Sequence, residues 1–461
     1  MKVLLVNPPS YSVITEILGV RGPPLGLAYL ASVIREEGFD VSILDAIGEG
    51  LDVRETINRI QRYDPDLIGI TATTPAIYDA YMTAKLAKRV NPNVKVVIGG
   101  SHVTFMPIQT LQDCPYVDVV VIGEGELIVR DLLSALSKGR DLMDVKGIAF
   151  RRGRELKMTP PAPLIMNLDK LPIPAYDLLP LDKYIVGSKR YGVLITSRGC
   201  PYRCLFCSSS LQFGRKWRAY SPGRVLEELK ILYYEYGVRE VEFLDDMFTL
   251  DRERSIEIAN MIRGEGLDIS WTFSSRVNTF TSEVGTALRK AGAWLVYFGI
   301  ESGSERVLKY IRKGITVSQS VKAVKSAKRS GLKVLGSFIV GFPIERRGDL
   351  KLTLGLARML DIDYAQFTVA TPFPGTELWE IANRDGLLLT RDWSKYTTLN
   401  VVMKGYFLSP NEIQRFLELA YILFYLSPKR IKKDLTEDRG FLLRKVIKSL
   451  VKLASLKIKK C

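Results

Sequence analysis

The chain has 461 residues, of which 47% are hydrophobic and 25% charged, and it carries a formal net charge of +16. This length predicts two domains and a tail, and the balance of apolar and charged residues is that of a folded soluble protein. The most apolar stretches, such as residues 119–122 and 334–340, are strand-sized and fall short of the roughly 18 residues of a spanning helix. Residues 1–10 lack the cleavage region of a signal peptide, so the sequence favours a cytoplasmic protein.

Residues 1–145 alternate strand-like and helix-like segments, with strands predicted at 2–7, 41–46, 67–72, 94–100 and 117–126. Continuous apolar strands with helical crossovers predict a doubly wound, Rossmann-like parallel sheet, whose ligands bind at the carboxyl ends of the strands. No G-x-G-x-x-G motif follows the first strand, so a dinucleotide is not expected. The candidate binding residues at these strand ends are Asn7, Thr71, Thr73, Gly99, Gly100, His102, Gly123 and Glu124.

Residues 146–185 read as a Pro-rich linker with at most two short strands. The alternation restarts within residues 186–400, with strands predicted at 192–197, 241–246, 269–275, 294–301, 334–341 and 364–372. Six such units are too few for the eight of a closed TIM barrel, so the sequence predicts a partial (β/α)6 barrel. Residues 401–461 are predicted to form a helical, basic C-terminal region.

Three cysteines, Cys200, Cys204 and Cys207, form a C-x3-C-x2-C motif directly after the first barrel strand. Three cysteines within eight residues suit a metal site in a reducing compartment better than a disulfide framework. Three thiolates can hold three irons of a 4Fe–4S cluster and leave the fourth iron open, as a catalytic zinc keeps an open position. A three-cysteine zinc site is the alternative.

With this motif, residues 185–400 resemble the radical S-adenosylmethionine (SAM) superfamily, and Phe206 matches the aromatic residue usual before the last cysteine. The resemblance implies that the open iron binds SAM and that an electron from a ferredoxin- or flavodoxin-like reductant cleaves it to a 5′-deoxyadenosyl radical. Taken singly, such strand-end residues are often only helix caps or turns, and no catalytic acid or base stands out. The residues that the resemblance implies for SAM binding are Asp245, Asp246, Ser275, Arg276, Glu301, Ser302, Ile339 and Gly341.

The first domain resembles the cobalamin-binding domain of cobalamin-dependent radical enzymes, through residues 7–9, 23–32, 71–74, 99–105 and 123–126. The D-x-H-x-x-G motif that supplies a cobalt-ligating histidine elsewhere is absent, so the resemblance implies a corrin-edge contact for His102 and not ligation of cobalt, with a purely structural role as the alternative. A flavodoxin-like fold that only helps to bind substrate is the alternative for this domain. A methylthiotransferase is not expected, because this domain has only Cys114 and lacks a second cysteine trio.

Most of the positive charge lies at the end of the chain, where residues 429–461 hold 12 Lys and Arg against 3 Asp and Glu. The last predicted helix, residues 440–459, interleaves basic and aliphatic residues, which is typical of a helix on an anionic membrane surface. A solvated helix docked on the barrel and nucleic-acid binding are the alternatives, but the tail lacks the stacking aromatics of a single-strand binder. We therefore expect a peripheral position on the inner face of the cell membrane and no nucleic-acid partner.

These patterns predict a cobalamin-dependent radical SAM enzyme that functionalises an unactivated sp3 carbon. In layout the chain also resembles cobalamin-dependent radical enzymes that modify hopanoids and archaeal tetraether lipids. Together with the expected membrane-surface position and a composition typical of thermophiles, this resemblance implies formation of a carbon–carbon bond or ring in archaeal tetraether lipids. A C-methyltransferase acting on a lipid, a small molecule or a peptide is the alternative. A cobalamin carrier or sensor with a vestigial barrel is the non-enzymatic hypothesis.

Overall fold

The structure is a computed structural model and describes residues 1–10, 22–428 and 430–431. The first half of the chain contains β1 (Lys2–Asn7), α1 (Leu25–Glu36), β2 (Asp40–Asp45), α2 (Ala46–Glu49), α3 (Val53–Tyr63), β3 (Leu67–Thr71), α4 (Ile77–Val90), β4 (Lys95–Gly99), α5 (Ser101–Phe105), α6 (Pro107–Asp113), β5 (Val119–Val121), α7 (Gly125–Lys138), β6 (Ile148–Arg152) and β7 (Glu155–Met158). Short 3-10 helices lie at Thr74–Ala76 and Leu142–Asp144.

The second half contains β8 (Ile185–Val186), β9 (Lys189–Leu194), β10 (Ser197–Arg198), α8 (Ser209–Gln212), β11 (Arg218–Ala219), α9 (Pro222–Tyr234), β12 (Val238–Phe243), α10 (Arg252–Gly264), β13 (Ser270–Ser275), α11 (Ser282–Lys290), β14 (Ala293–Glu301), α12 (Glu305–Tyr310), α13 (Val317–Arg329), β15 (Lys333–Val340), α14 (Arg347–Met359), β16 (Tyr364–Val369), α15 (Glu377–Arg384) and α16 (Pro410–Tyr425). The 3-10 helices here are Leu168–Lys170, Tyr176–Leu178, Leu181–Lys183 and Trp393–Lys395.

The first sheet has the strand order β2-β1-β3-β4-β5-β6-β7, and β1 to β5 are parallel. This 2-1-3-4-5 order is that of flavodoxin-like doubly wound folds. Side chains alternate between two buried faces, with Leu5 in one apolar cluster and Leu4 and Val6 in the other. The predicted α/β fold class is confirmed. The hairpin β6–β7 extends this sheet with antiparallel strands, so part of the segment treated above as a linker is sheet.

The second sheet has the order β16-β15-β14-β13-β12-β9-β8, and its six long strands are parallel. β9 and β16 end the parallel run without pairing with each other, which makes the sheet an open partial barrel, as predicted. Helix α16 covers the β16 edge, where the Tyr421 and Tyr425 hydroxyls donate to the carbonyls of Phe367 and Ala365 at 2.9 and 2.8 Å. Such cover protects an edge strand from pairing with other chains.

The two sheets are packed together along α1 and along the segment that follows β16. The amide of Ala175, in the connector, donates to the carbonyl of Ala28 in α1 at 3.0 Å. A methyl group on Gly375, after β16, would lie 2.2 Å from the Phe105 ring of the first domain. The carboxyl ends of both sets of strands consequently face a shared interior.

Among the residues that the structure describes, no helix combines the length and the apolar character needed to cross a membrane. The basic helix predicted at residues 440–459, on which the expected membrane-surface position depends, lies outside the described residues.

Candidate active site

The cluster loop, residues 199–207, is held in place by backbone hydrogen bonds on both sides. The Cys200 amide donates to the Gly214 carbonyl at 3.2 Å, and the Leu205 amide donates to the Ile311 carbonyl at 3.0 Å. Gly199 adopts a φ of +87°, and a Cβ there would lie 2.4 Å from the Lys216 carbonyl oxygen, so only glycine fits this turn. The loop is therefore fixed, while its three thiols stay partly exposed.

The donor set fits an iron–sulfur cluster. Burial raises the pKa values of Cys200 and Cys207, so these thiols need a metal ion to be held as thiolates. No three His, Cys, Asp or Glu side chains in the described ranges converge on a point where one metal ion would be held. A cluster does not require such convergence, because each thiolate binds a different iron. The three thiols are therefore compatible with a cluster.

Arg276, at the end of β13, joins this loop to the barrel. Its guanidinium lies 3.6 Å from the centre of the Tyr202 ring and donates to the Cys204 sulfur at 3.7 Å and to the Lys313 carbonyl. The neighbouring Ser275 is buried in a hydroxyl cluster with Thr249. Of this predicted pair, Arg276 reaches the cluster loop and Ser275 braces the strand end.

The two aspartates after β12 have different surroundings. Asp245 is buried and accepts hydrogen bonds from the amide and hydroxyl of Thr196, both at 2.6 Å, and from the hydroxyl of Ser197. Asp246 lines the cavity described below, where its carboxylate accepts from Ser209 at 2.8 Å and its pKa is raised by desolvation. Asp245 thus fixes the turn before the cluster loop, and Asp246 remains accessible to a ligand.

The end of β14 carries a buried ion pair. The Glu301 carboxylate accepts from the Lys313 ammonium at 2.6 Å, and both side chains are less than 10% exposed. A Cβ on Gly299 would lie 2.5 Å from the carboxylate and 2.7 Å from the ammonium, so glycine makes room for the pair. Ser302 is buried and shares a hydrogen bond of 3.1 Å with Thr353.

The end of β15 turns sharply over a buried carboxylate. Gly341 has a φ of +88°, and Glu345 accepts hydrogen bonds from the amides of Gly341 and Phe342. Burial raises the Glu345 pKa to about 8, although the two amides lower it, and one carboxylate oxygen has no partner among the described residues. Ile339, two residues before this turn, is partly exposed. Glu345 therefore shapes the loop that the sequence analysis assigned to SAM.

A cavity of about 310 Å³ lies between the two domains. On the first-domain side it runs between the sheet and helices α1 and α7, and on the barrel side it reaches Ile195, Leu244 and Asp246. Its size is that of small-molecule and cofactor sites. Of the residues predicted at the first sheet's edge, the following line it: Thr71, Gly99, Gly100, Gly123 and Glu124.

Small residues line the first-domain wall of the cavity, where the resemblance implies that cobalamin binds. Gly100 adopts a φ of +117°, and a Cβ there would lie 2.5 Å from the Ala72 carbonyl oxygen. A Cβ on Gly69, inside the cavity, would lie 2.7 Å from the Leu5 side chain. The packing of the backbone around the cavity therefore requires glycine at both positions.

Three of the predicted residues lie outside this cavity. The His102 ring is buried, 3.3 Å from the Thr74 hydroxyl and 5.1 Å from the Trp393 ring, and burial lowers its pKa to about 4. The Asn7 amide donates to Asp45 at 2.7 Å. Thr73 lies at the start of the 3-10 helix Thr74–Ala76. In this structure His102 supports the strand-end loop and does not reach the cavity.

The cavity wall contains a buried ionic network that links the domains. Arg198, two residues before Cys200, pairs with Glu124 at 3.2 Å and with Glu126 at 2.6 Å. Arg218 pairs with the second oxygen of Glu124 at 2.8 Å. All four side chains are at most 7% exposed. Glu124, predicted to bind cofactor, is thus the centre of a contact that positions the cluster loop against the first domain.

Sequence reasoning missed several of these residues. Arg198, Arg218 and Lys313 belong to no recognisable sequence motif. Their glutamate partners lie in other parts of the fold, between 12 and 94 residues away along the chain. One available signal was that residues 183–226 contain nine Lys and Arg and no Asp or Glu. Buried arginines in such a stretch must find carboxylates elsewhere.

The accessible face of the last two barrel strands carries both polar and apolar side chains. On β15 and β16 buried and accessible residues alternate, and the buried side packs on helices, as Phe367 does on Tyr421. The accessible side carries Ser337, Gln366 and Thr368, and it also carries Leu335, Ile339 and Tyr364. Closed TIM barrels fill this space with branched aliphatic side chains. The open barrel therefore presents hydrogen-bonding groups to whatever enters it.

Comparison with known proteins matches both halves of the chain. A model described as the B12 binding domain matches residues 11–133, and one described as the Radical SAM superfamily matches residues 194–357. A protein of Pyrococcus horikoshii, described as an uncharacterized methyltransferase, is 54% identical over 98% of each chain. The anaerobic magnesium-protoporphyrin IX monomethyl ester cyclase of Rubrivivax gelatinosus is 31% identical over 95% of this chain and 80% of its own.

Two solved structures share the fold. The cobalamin-dependent radical enzyme OxsB, with aqua-cobalamin and S-adenosylmethionine bound, has a TM-score of 0.77 and 18% identity, covering 99% of this chain and 74% of its own. The methyltransferase TsrM from Kitasatospora setae, with cobalamin and a [4Fe-4S] cluster bound, has a TM-score of 0.69 and 20% identity, covering 90% and 82%. The three predicted cofactors are confirmed, and the zinc-site and carrier hypotheses are set aside. The chain belongs to the family of cobalamin-binding radical S-adenosylmethionine enzymes, and it is an enzyme that works with a 4Fe–4S cluster, S-adenosylmethionine and cobalamin.

Proposed function

We propose that this enzyme is a C-methyltransferase, which replaces a hydrogen on an unactivated carbon of its substrate with a methyl group carried by cobalamin. The observation that carries the proposal is that one cavity is lined from both domains. Thr71, Gly99 and Gly100 line it at the ends of β3 and β4, and Asp246 lines it just after β12. A methyl donor on one wall and a hydrogen-abstracting cofactor on the other would then face the same substrate carbon. The cofactors supply the radical and the methyl group.

The chain's own residues bind and orient these groups in our proposal. Cys200, Cys204 and Cys207 hold three irons of the cluster, and Arg276 positions their loop. Asp246 accepts from the amino group of SAM. Leu244 and Ile195, which line the cavity beside Asp246, exclude water from the reacting atoms.

The names of the relatives support methyl transfer. The 54% identical protein is described as a methyltransferase. More distant relatives include the cytidylyl-2-hydroxyethylphosphonate methyltransferase of Streptomyces wedmorensis, 30% identical over 84% of this chain, and the hopanoid C-3 methylase of Methylococcus capsulatus, 28% identical over 87%. These substrates differ widely, so the names support the reaction and leave the substrate open.

For the substrate, we propose a molecule whose bound portion is polar. Ser337 and Gln366, on the accessible face of β15 and β16, offer hydrogen bonds that a purely aliphatic chain would not satisfy, whereas the Thr368 hydroxyl already donates to the Phe338 carbonyl at 3.4 Å. A lipid would then have to enter with a polar part first.

Ring formation is the second candidate, because relatives described as magnesium-protoporphyrin IX monomethyl ester cyclases reach 31% identity. Formation of a carbon–carbon bond or ring in a tetraether lipid belongs to this candidate. The lipid substrate in this candidate also rests on the basic tail. Flotation with phosphatidylglycerol vesicles tests membrane binding by the tail, by comparing the full chain with a chain that lacks residues 432–461. Equal flotation of the two chains would remove the support for a lipid substrate.

The deciding experiment is an anaerobic assay of the reconstituted enzyme with dithionite, SAM and extract from the source cells. 5′-Deoxyadenosine formed together with S-adenosylhomocysteine is expected for methyl transfer, because the cobalamin must be remethylated by a second SAM. Deoxyadenosine alone would contradict methyl transfer and favour ring formation. Asp246→Asn is expected to weaken SAM binding, whereas Glu253→Gln, on the outer helix α10, serves as the matched control.

A further inference from the structure

Residues around the cluster loop carry positive charge that the fold does not neutralise. Between residues 183 and 226 the chain has nine Lys and Arg and no Asp or Glu. Arg198, Arg218 and Arg224 are paired with buried glutamates. Arg203, Arg215 and Lys216 are exposed, and no ion pair joins them to any other described residue. We call these three residues the basic rim.

The basic rim lies on the backbone that holds the thiols. Arg203 directly precedes Cys204 in the chain. The segment that carries Arg215 and Lys216 accepts the hydrogen bond from the Cys200 amide through the Gly214 carbonyl, and its Lys216 carbonyl packs on Gly199. The backbone that carries these three cations therefore contacts the cluster loop, and none of the three side chains lines the cavity.

Nearby carboxylates do not cancel this charge. Glu377, close to the loop, is already bound by Arg312 through two hydrogen bonds of 2.6 and 2.7 Å. Asp246 points into the cavity and accepts from Ser209. Three exposed cations on contacting segments of backbone give this surface a positive electrostatic field, which suits an acidic partner.

We propose that the basic rim is the docking surface for a small acidic electron-carrier protein of the flavodoxin kind. The inference rests on the one-electron chemistry of the family and is independent of the methyl transfer proposed above. The carrier is oxidised by one electron for each SAM that is cleaved to methionine and deoxyadenosine. Electron-transfer encounters use small, weak interfaces, and opposite charges raise their association rates about 10- to 1000-fold.

The test compares two electron sources in the full, reconstituted enzyme, with deoxyadenosine as the product measured. One source is a reduced flavodoxin supplied by its reductase and NADPH, and the other is dithionite, which needs no docking. The test variant is Arg203→Glu/Arg215→Glu/Lys216→Glu. The matched control, with the same change in charge on exposed residues of α13 and α14, is Lys322→Glu/Lys325→Glu/Arg358→Glu.

We expect the test variant to lose about ten-fold or more of its flavodoxin-driven rate at low salt, to keep its dithionite-driven rate, and to lose most of its dependence on ionic strength. Flavin anisotropy should show weaker binding of oxidised flavodoxin to the variant without any turnover. The control variant should match the unmodified enzyme in every measurement.

Two results would overturn the proposal. If test and control variants have the same flavodoxin-driven rate, the carrier docks elsewhere. If the dithionite-driven rate falls equally, together with the iron, SAM or cobalamin content, the rim builds a cofactor site. Absence of S-adenosylhomocysteine would count against the proposed methyl transfer but not against the docking surface, because the docking test measures deoxyadenosine.

Discussion

The buried network of Arg198, Glu124, Glu126 and Arg218 should hold the cluster loop against the first domain, and Arg198→Met tests this. The substitution removes the cation that neutralises Glu126, while Glu124 keeps Arg218. Breaking a buried pair by removing one partner costs about 3–5 kcal/mol, because it leaves an uncompensated buried charge. The exposed pair Arg35–Asp177, with both side chains about half exposed, should contribute about 0–1 kcal/mol.

The assay is native-state hydrogen exchange on the cluster-free chain, followed by mass spectrometry of peptides covering residues 196–207 and 123–130. Local exchange is preferable to a global melt, because a chain with two domains need not unfold in one step. Arg198→Met should lower the opening free energy of both peptides by about 3–5 kcal/mol, and Arg35→Met, the matched control, by less than about 1.

The double variant Arg198→Met/Glu126→Met gives a sharper result. Replacing both partners of a buried pair with apolar residues often restores stability. The double variant should therefore be more stable than Arg198→Met alone, although it carries one more substitution. If Arg198→Met behaves like Arg35→Met, or if the double variant is the less stable one, the network does not hold the domains together.

Three further predictions concern the cavity and two buried groups. Gly99→Ala should weaken cobalamin binding in a spectroscopic titration without lowering stability, because its Cβ meets only Val121 at 3.8 Å; Gly100→Ala should lower stability as well, because its φ is +117°. Burial lowers the His102 pKa to about 4, so the folded chain should lose about 3 kcal/mol of stability relative to His102→Gln as the pH falls from 6.5 to 4, in urea unfolding. Burial raises the Glu345 pKa to about 8, so the stability of the folded chain should fall as the pH rises from 4.5 to 8, and Glu345→Gln should abolish that fall. For His102 and for Glu345 alike, equal pH dependence of variant and parent would contradict the prediction.

The local patterns of the sequence were enough to predict the fold. The strands at 2–7 and 364–369 lie within the predicted ranges because their apolar runs and bounding turns are local signals. The β6–β7 hairpin lies in the segment interpreted as a linker with at most two short strands, and its strand Glu155–Met158 has four residues, none of them buried. So short an edge strand carries too few residues for a periodic signal.

The candidate site was predictable in its location and less so in its detail. Parallel topology brings all strand ends to one edge, so a residue such as Asp246 could be placed at the cavity from position alone. Which of two adjacent side chains is free depends on contacts far along the chain. Asp245 is occupied by Thr196, 49 residues earlier, and His102 packs against Trp393, 291 residues later. No local pattern encodes such pairings.

The two networks around the cluster loop divide its surface between two tasks. On the inner side, Arg198 and Arg218 are buried and form ion pairs with Glu124 and Glu126, which holds the loop against the cobalamin-binding domain. On the outer side, Arg203 and its neighbours remain exposed and unpaired with other described residues, which suits a partner that must dock and leave. Residues 183–226, which contain no Asp or Glu, supply both the buried and the exposed cations. The cations that are buried near Glu124 and Glu126 are the ones that are neutralised. A substitution on the inner side should therefore alter coupling between the cofactors, whereas one on the outer side should alter only the supply of electrons.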